Sequence, residues 1–367
     1  GLRVTELTTI RIKRQLPIPG EVLVLAGERV EATSTVACTK LPGKIHTINV
    51  VNRLSITPSD IRRYMLKREG DRVLKNEIIA ETRPLIKWFK LTVKSPTEGT
   101  IETISEVTGQ VLLREPPELL ELKAFIPGYV IEIIPDRGVL IETTGSLIQG
   151  IFGVGGEAYG KIKLGVKDPQ DELTPQMLNE DYRGTIIVGG SHACIDTLRR
   201  VQEFEAAGLV VGGIHDSDLR QLLGYELGVA ITGTERIGFT LIITEGFGRI
   251  PMARRTFELL ASREGMFASI SGATQIRAGV IRPEIIIPTD AKAHPPETKQ
   301  TLHRGLNPGD NIRIIREPYF GRIAKIKELP SEPQTIPTQS RVRILVVEFP
   351  DGTNAIIPRA NVEILEE

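Results

Sequence analysis

The sequence predicts a multi-domain chain of mixed class, all-β modules around an α/β layer, and three observations carry that expectation. In the first 165 residues, short apolar or alternating runs recur between Gly, Pro and Asp turn signals. From 182 to 290, apolar strands alternate with helical stretches. Beyond 303, alternating strands return. The 35 Gly and 24 Pro in 367 residues suit a chain of many turns and short strands. That length predicts two or three domains, and the pattern changes place them at 1–165, 182–290 and 303–367.

Composition narrows the function classes. The 46 Lys+Arg and 46 Asp+Glu cancel, so total charge does not point to nucleic acid or a membrane surface, and only a local basic face would. Cys38 and Cys194 are too few for a disulfide framework or a Cys-based zinc site. No run approaches the roughly 18 apolar residues of a membrane helix, and no leader pattern is read at the start. A cytoplasmic protein with no membrane partner is the expectation.

The N-terminal elements follow from turns. Glu21 to Val24 runs into Ala26-Gly27-Glu28-Arg29-Val30. Arg68-Glu69-Gly70-Asp71-Arg72-Val73 leads to Ile78-Ile79-Ala80. Ser95 to Glu102 is followed by Thr108-Gly109-Gln110-Val111-Leu112, and Ile126-Pro127-Gly128 opens another strand. Several turns set Gly beside an acid, and Gly supplies the positive φ such turns need. Repetition of the unit predicts a sandwich or barrel with internal repeats. A helix start is read at Thr57-Pro58-Ser59-Asp60, capped by Ser59 or Asp60. Residues 1–70 hold 12 Lys+Arg against 6 Asp+Glu, and the cluster Arg62, Arg63, Lys67, Arg68 reads as a solvated helix face.

The stretch Lys67 to Leu113 resembles a biotinyl/lipoyl-like barrel-sandwich hybrid. The resemblance rests on Glu69-Gly70-Asp71-Arg72-Val73 and Ser95-Pro96-Thr97-Glu98-Gly99-Thr100-Ile101. It implies a fold used by swinging-arm carriers and by unmodified scaffolding insertions of large enzymes. The segment between the halves, Arg83 to Lys90, lacks the Met that usually flanks the modified Lys and is longer than the carrier turn. Biotin or lipoate on Lys87 or Lys90 is therefore not expected. Trp88 and Phe89 read as a hydrophobic plug, with the lysines solvated.

The polar stretch Val166 to Asp181 reads as a linker. Then Thr185–Val188 is an apolar strand ending at Gly189-Gly190. Ile195–Ala207 reads as a helix stopped by Gly208. Leu209–Val211 is a strand ending at Gly212-Gly213, and a helix capped by Asp216 or Ser217 runs to about Glu226. Val229–Thr232 and Thr240–Thr244 are strands ending at Gly233 and Glu245-Gly246. Pro251 suits the first turn of the next helix. Phe267–Ile270 and Ile285–Ile287 complete the set. This alternation predicts a Rossmann-like layer, a largely parallel sheet covered by helices. Only seven residues lie between Thr232 and Thr240, so those strands would be antiparallel if adjacent, with Gly233 and Gly246 at opposite edges.

In such sheets ligands sit outside the carboxyl ends of the strands, and a helix N-terminus there offers amides to an anion. Gly189, Gly190, Ser191, His192, Gly212, Gly213, His215, Asp216, Glu245 and Arg277 are the candidate ligand-binding residues, and a phosphate-bearing ligand is the cofactor class left open. Tight turns alone would also explain the glycines. No complete dinucleotide or phosphate-loop motif is present, nor a Gly-x-Ser-x-Gly elbow. Asp216 and Asp218 read as first-turn acids rather than metal ligands. No catalytic or metal-ligating residue is assigned. Thr274, Gln275 and Arg277 either bind an anion or partner, or satisfy backbone groups of an irregular loop.

Asp290 to Leu302 reads as a second linker. Beyond it, Pro308-Gly309-Asp310-Asn311-Ile312-Arg313-Ile314 and Tyr319-Phe320-Gly321-Arg322-Ile323 resemble a KOW motif of SH3-like barrels. Arg341–Phe349, a hairpin at Asp351-Gly352 and Ala355–Pro358 extend the resemblance. It implies binding to RNA, ribosome or polymerase, with Arg313, Arg316, Tyr319, Arg322 and Lys325 as candidate nucleic-acid contacts. The segment's charges are close to balanced, and such barrels also bind proteins. The leading expectation is a non-catalytic scaffold or adaptor acting through protein partners or self-assembly. The alternatives are a KOW-containing nucleic-acid binder and a small-ligand or nucleotide-binding enzyme or sensor using the Gly-ended crevice.

Overall fold

The computed structural model describes residues 2–84, 89–224, 233–274, 281–289, 306–335 and 341–365. The strand read at Val229–Thr232, the linker at 290–302, and Lys87, Trp88, Gln275 and Arg277 lie outside these. Strands predominate and fall into several sheets, with an α/β layer among them.

The largest sheet has eleven strands. Its members used below are β1 (Val4–Gln15), β2 (Gly128–Ile134), β3 (Gly138–Gln149), β4 (Phe152–Val154), β5 (Glu157–Leu164), β7 (Ile186–Val188), β9 (Gly208–Ile214), β10 (Thr240–Phe247), β11 (Phe267–Ser271) and β12 (Glu284–Pro288). A short pair, β6 (Glu172–Leu173) and β8 (His192–Ala193), stands beside it. The helices are α1 (Ile195–Glu203), α2 (Asp216–Leu223) and α3 (Arg254–Ser262). Across the sheet the order is β4-β10-β9-β7-β5-β11-β12-β3-β2, and β1 pairs with β3.

Four of these strands, β5, β7, β9 and β10, are mutually parallel. The apolar runs of β7, β9 and β10, such as Ile186-Ile187-Val188, are buried, as strands covered on both faces must be. Each such side chain contributes about 1.5–3 kcal/mol through burial. The four follow one another in chain order without reversal, so no topological switch point opens a crevice among them. Their carboxyl ends share one edge, with Leu164 level with Val188 and Ile214 level with Phe247. Gly233 accepts a hydrogen bond from Gly156 at the start of β5, which puts it at the opposite edge from Gly246.

Several sequence-derived boundaries shift for physical reasons. The 166–181 stretch is not a solvated linker: Val166, Leu173 and Leu178 are buried in the α/β core, and β6 pairs with β8. The boundary drawn at 165 separates β5 from β7, which hydrogen-bond to each other. α1 ends at Glu203 because Glu205 takes a left-handed φ of 51°, and Gly208 opens β9 instead of stopping the helix. Pro251 precedes α3 by three residues. Gly212, Gly213 and Gly246 lie within strands rather than after them.

Before the sheet, residues 45–114 build their own core. Strands at 45–49, 110–114, 99–104 and 72–73 form one sheet, and 78–81 pairs with 92–94. They enclose Ile48, Val73, Ile79, Val93, Ile101 and Val111 together with short helices at Val50–Leu54 and Ile61–Tyr64. Asp60 holds the N-cap position of the second helix, although its side chain makes no cap hydrogen bond. Two of the four basic residues there are paired, Arg62 with Glu69 and Glu106 and Lys67 with Glu77. Phe89 is 71% exposed, so it does not plug this core, and Lys90 pairs with Glu81 at 2.7 Å. At the other end, β13 (Asn311–Ile314), β14 (Ile323–Glu328), β15 (Ile344–Glu348), β16 (Asn354–Pro358) and β17 (Val362–Ile364) form an antiparallel sheet. It covers Ile312, Ile326, Leu345 and Val347.

Candidate functional site

The carboxyl edge of the parallel strands is where a ligand cradle was expected, and its glycines are filled by the chain's own backbone. A Cβ on Gly190 would stand 2.2 Å from the Asp171 carbonyl oxygen, one on Gly212 2.1 Å from that of Ile250, and one on Gly213 2.1 Å from that of Gly248. Gly189 and Gly190 are buried with them. The Ser191 hydroxyl donates to the carbonyl of Gln170, and the Ser191 amide to that of Asp171. The amides of Gly189 and Gly212 donate to Val210 and Gly190. These donors are used within the fold, which corrects the phosphate-cradle expectation: the glycines admit segments 168–171 and 248–252.

The two histidines do meet. Their rings lie edge to face with centroids 4.7 Å apart. His192 is 4% exposed. Its Nδ1 stands 3.1 Å from Glu172 Oε1, and Arg249 holds the other oxygen of Glu172. The Nε2 of His192 is buried without a hydrogen-bond partner, 4.0 Å from Asp218 Oδ2. A base sealed in this way cannot reach a substrate proton, because acid–base work needs hydrogen-bond contact with the reacting group. His215 is exposed at the N-terminus of α2. Asp216 accepts from the Ser217 amide and from Arg220, and with Asp218 it puts negative charge in the first turn, where the helix dipole favours it. Among the described residues no His, Cys, Asp and Glu group is arranged to hold a metal ion.

Glu245 serves other partners. Its carboxylate accepts from the Ala253 amide at the start of α3 at 2.9 Å and meets Arg313 at 3.4 Å. Thr274 is buried, accepting from the Gly153 amide and donating to backbone carbonyls. It is a satisfier of backbone groups.

Arg313 is 4% exposed, which removes it from any nucleic-acid surface. It donates to the carbonyls of Thr244 and Glu245 and pairs with Glu363 at 3.1 Å; Arg282 meets Glu363 at 2.8 Å. Burial alone would push the Glu363 carboxyl up, but the Arg282 hydrogen bond and the charges of Arg313 and Arg282 hold it below the usual carboxylate range. Two arginines and two glutamates thus join the end of β10 to the C-terminal sheet. Two of the other proposed contacts, Arg322 and Tyr319, are also engaged. Arg322 lies 3.9 Å over the Phe349 ring and pairs with Asp351, and Tyr319 tilts against Phe349. Lys325 is exposed in register with Glu348, and Arg316 is half-buried.

A cleft of about 490 Å³ remains at this joint, lined by Phe152, His215, Asp216, Arg220, Phe247, Gly248, Glu317, Pro318, Phe320 and Arg322. Its floor is the carboxyl end of β9 and β10, and its roof is the segment before β14. The Phe247 amide donates to the Gly321 carbonyl across the joint, and the Phe152 and Phe247 rings lie 5.5 Å apart. Of the ten predicted ligand residues, His215 and Asp216 line the cleft. Phe152, Phe247, Phe320, Arg220 and Glu317 had no sequence signal, since they come from four distant segments.

No protein-family model matches the chain. No curated protein matches it in sequence.

Proposed function

We propose that this chain is a non-catalytic scaffold acting through protein–protein contacts or self-assembly. In this reading the parallel strands are a Rossmann-like unit, residues 45–114 a barrel-sandwich module and the C-terminal sheet a KOW/SH3-like barrel. The observation that carries it is the buried Arg313–Glu245–Glu363–Arg282 network, which ties the α/β layer to the C-terminal module. Such a joint suits a body that presents surfaces in fixed relation. The histidines of the carboxyl edge support the same reading, because His192, the one with Glu172 behind it, is sealed from solvent. Exposed apolar side chains at turn tips of the β-rich half, Leu25, Leu74 and Val107, offer contact points. The nucleic-acid reading draws no support from Arg313, which is buried in the joint, or from Arg322 and Tyr319, which pack on Phe349.

Light scattering behind size-exclusion chromatography, over a concentration series, tests this. The expected result is a mass that is a multiple of the chain's own, lowered by Leu25→Asp combined with Leu74→Asp. A strict monomer that retains no protein when used as bait in its native extract overturns it.

A further inference from the structure

The cleft between the α/β layer and the C-terminal module has an occupant chemistry of its own, independent of the scaffold reading. Its volume of about 490 Å³ falls within the roughly 300–1,000 Å³ of small-molecule sites. Phe152, Phe247 and Phe320 line it, from β4, β10 and the C-terminal roof; Phe152 is 1% exposed and contributes no free ring face. Its lining carries two cationic and two anionic groups. Arg220 is neutralised by Asp216 at 2.5 Å, and Arg322 by Asp351, outside the lining, at 3.2 Å. Glu317 is thereby left as the lining charge that makes no ion pair among the described residues.

A carboxylate next to aromatic faces attracts cations twice over, by its charge and through the ring quadrupoles. It also disfavours a phosphate, which would have to approach Asp216 and Glu317. We propose that this cleft binds a small organic cation, an ammonium group on an apolar body, with the cationic head between Glu317 and Phe320 and the body against Phe247.

The experiment is a calorimetric titration of the full chain at low ionic strength. The probes are choline and benzyltrimethylammonium, with 3,3-dimethyl-1-butanol as the uncharged isostere of choline and AMP as an aromatic anion. The expected result is saturable binding of both cations at millimolar concentration or below, with the isostere weaker by about 2- to 30-fold. Glu317→Gln, an exposed change that leaves the core intact, should weaken both cations while leaving the isostere unchanged. Phe320→Leu should weaken benzyltrimethylammonium more than choline. Equal binding of choline and its isostere, tighter binding of AMP, or the absence of saturable binding by either cation each overturns the proposal. So does cation binding that Glu317→Gln leaves unaltered.

Discussion

Glycines in the β-rich modules and glycines at the carboxyl edge of the parallel strands do different jobs. In Leu25-Ala26-Gly27-Glu28, Arg68-Glu69-Gly70-Asp71 and Asn307-Pro308-Gly309-Asp310, the glycine takes a φ of 85° to 94° and a Cβ would meet nothing. The acid that follows closes the turn, its carboxylate accepting the amide of the first residue at 2.7–2.9 Å. Leu74-Lys75-Asn76-Glu77 has the same bonds with Asn at φ 67°. These glycines are chosen for conformation. Gly190, Gly212 and Gly213 do not take positive φ, and each would drive a Cβ into a carbonyl oxygen. They are chosen for space. The first kind is specified within four residues, and the second by segments brought in from elsewhere in the chain.

If the carboxyl edge is assembled from afar, breaking its distant partners should cost most. Arg313→Met leaves Glu245 and Glu363 buried with one cation fewer. Removing one partner of a buried pair costs about 3–5 kcal/mol, so urea denaturation should show the largest loss of stability of the series. A loss under about 1 kcal/mol would mean that water already reaches the network.

Gly212→Ala tests the steric role directly. Overpacking a close-packed site typically costs about 1–3 kcal/mol, and here the contact is backbone, which yields less than a flexible side chain. The thermal midpoint should fall clearly. An unchanged midpoint would show that segment 248–252 can withdraw, reopening the cradle the sequence suggested.

The network also sets a pH dependence. Glu363 is held below its usual range when folded. Its contribution is therefore fully present above the unfolded carboxylate value and is lost as pH falls through the depressed folded one. Stability measured from pH 7 into the acid range should decline there, and Glu363→Gln should flatten part of that decline while lowering stability at pH 7. A profile of the same slope in both proteins would assign the acid sensitivity to other carboxylates.

The same division explains what the sequence made legible. The apolar strands at 186–188 and 240–247, the helices at 195–203 and 216–223 and the turn at Asp351-Gly352 each carry their signal locally. Periodicity and turn chemistry therefore reach them. The 166–181 segment read as a linker because Pro and Asp dominate it, yet Leu173 and Leu178 are spaced to dip into a core that only the fold creates. Arg313 sat in an alternating strand among basic neighbours, and nothing local marks it as buried. Its partners Glu245 and Glu363, and Arg282 on the far side of Glu363, are distant in sequence. The cleft was half visible for the same reason: His215 and Asp216 follow a strand end, whereas Phe320 and Glu317 arrive from a module about a hundred residues away.

The smallest effects belong to the local turns, and they are the sharpest check because the two roles predict opposite orders. Gly27→Ala asks an L-residue to hold a left-handed φ, at about 1–2 kcal/mol. Gly27→Asn should recover much of that, since Asn76 already occupies the equivalent place in Leu74 to Glu77 and Asn tolerates the conformation. At Gly212 the order must invert: Asn, being larger, should be worse than Ala. Glu28→Gln keeps an acceptor for the Leu25 amide and removes only its charge, so it should cost a few tenths of a kcal/mol up to about 1. Thermal midpoints of the two Gly27 and two Gly212 variants decide the matter together. If Asn rescues at Gly212 as well, or fails at Gly27, the split between conformational and steric glycines does not hold, because size and φ would then not separate the two sets.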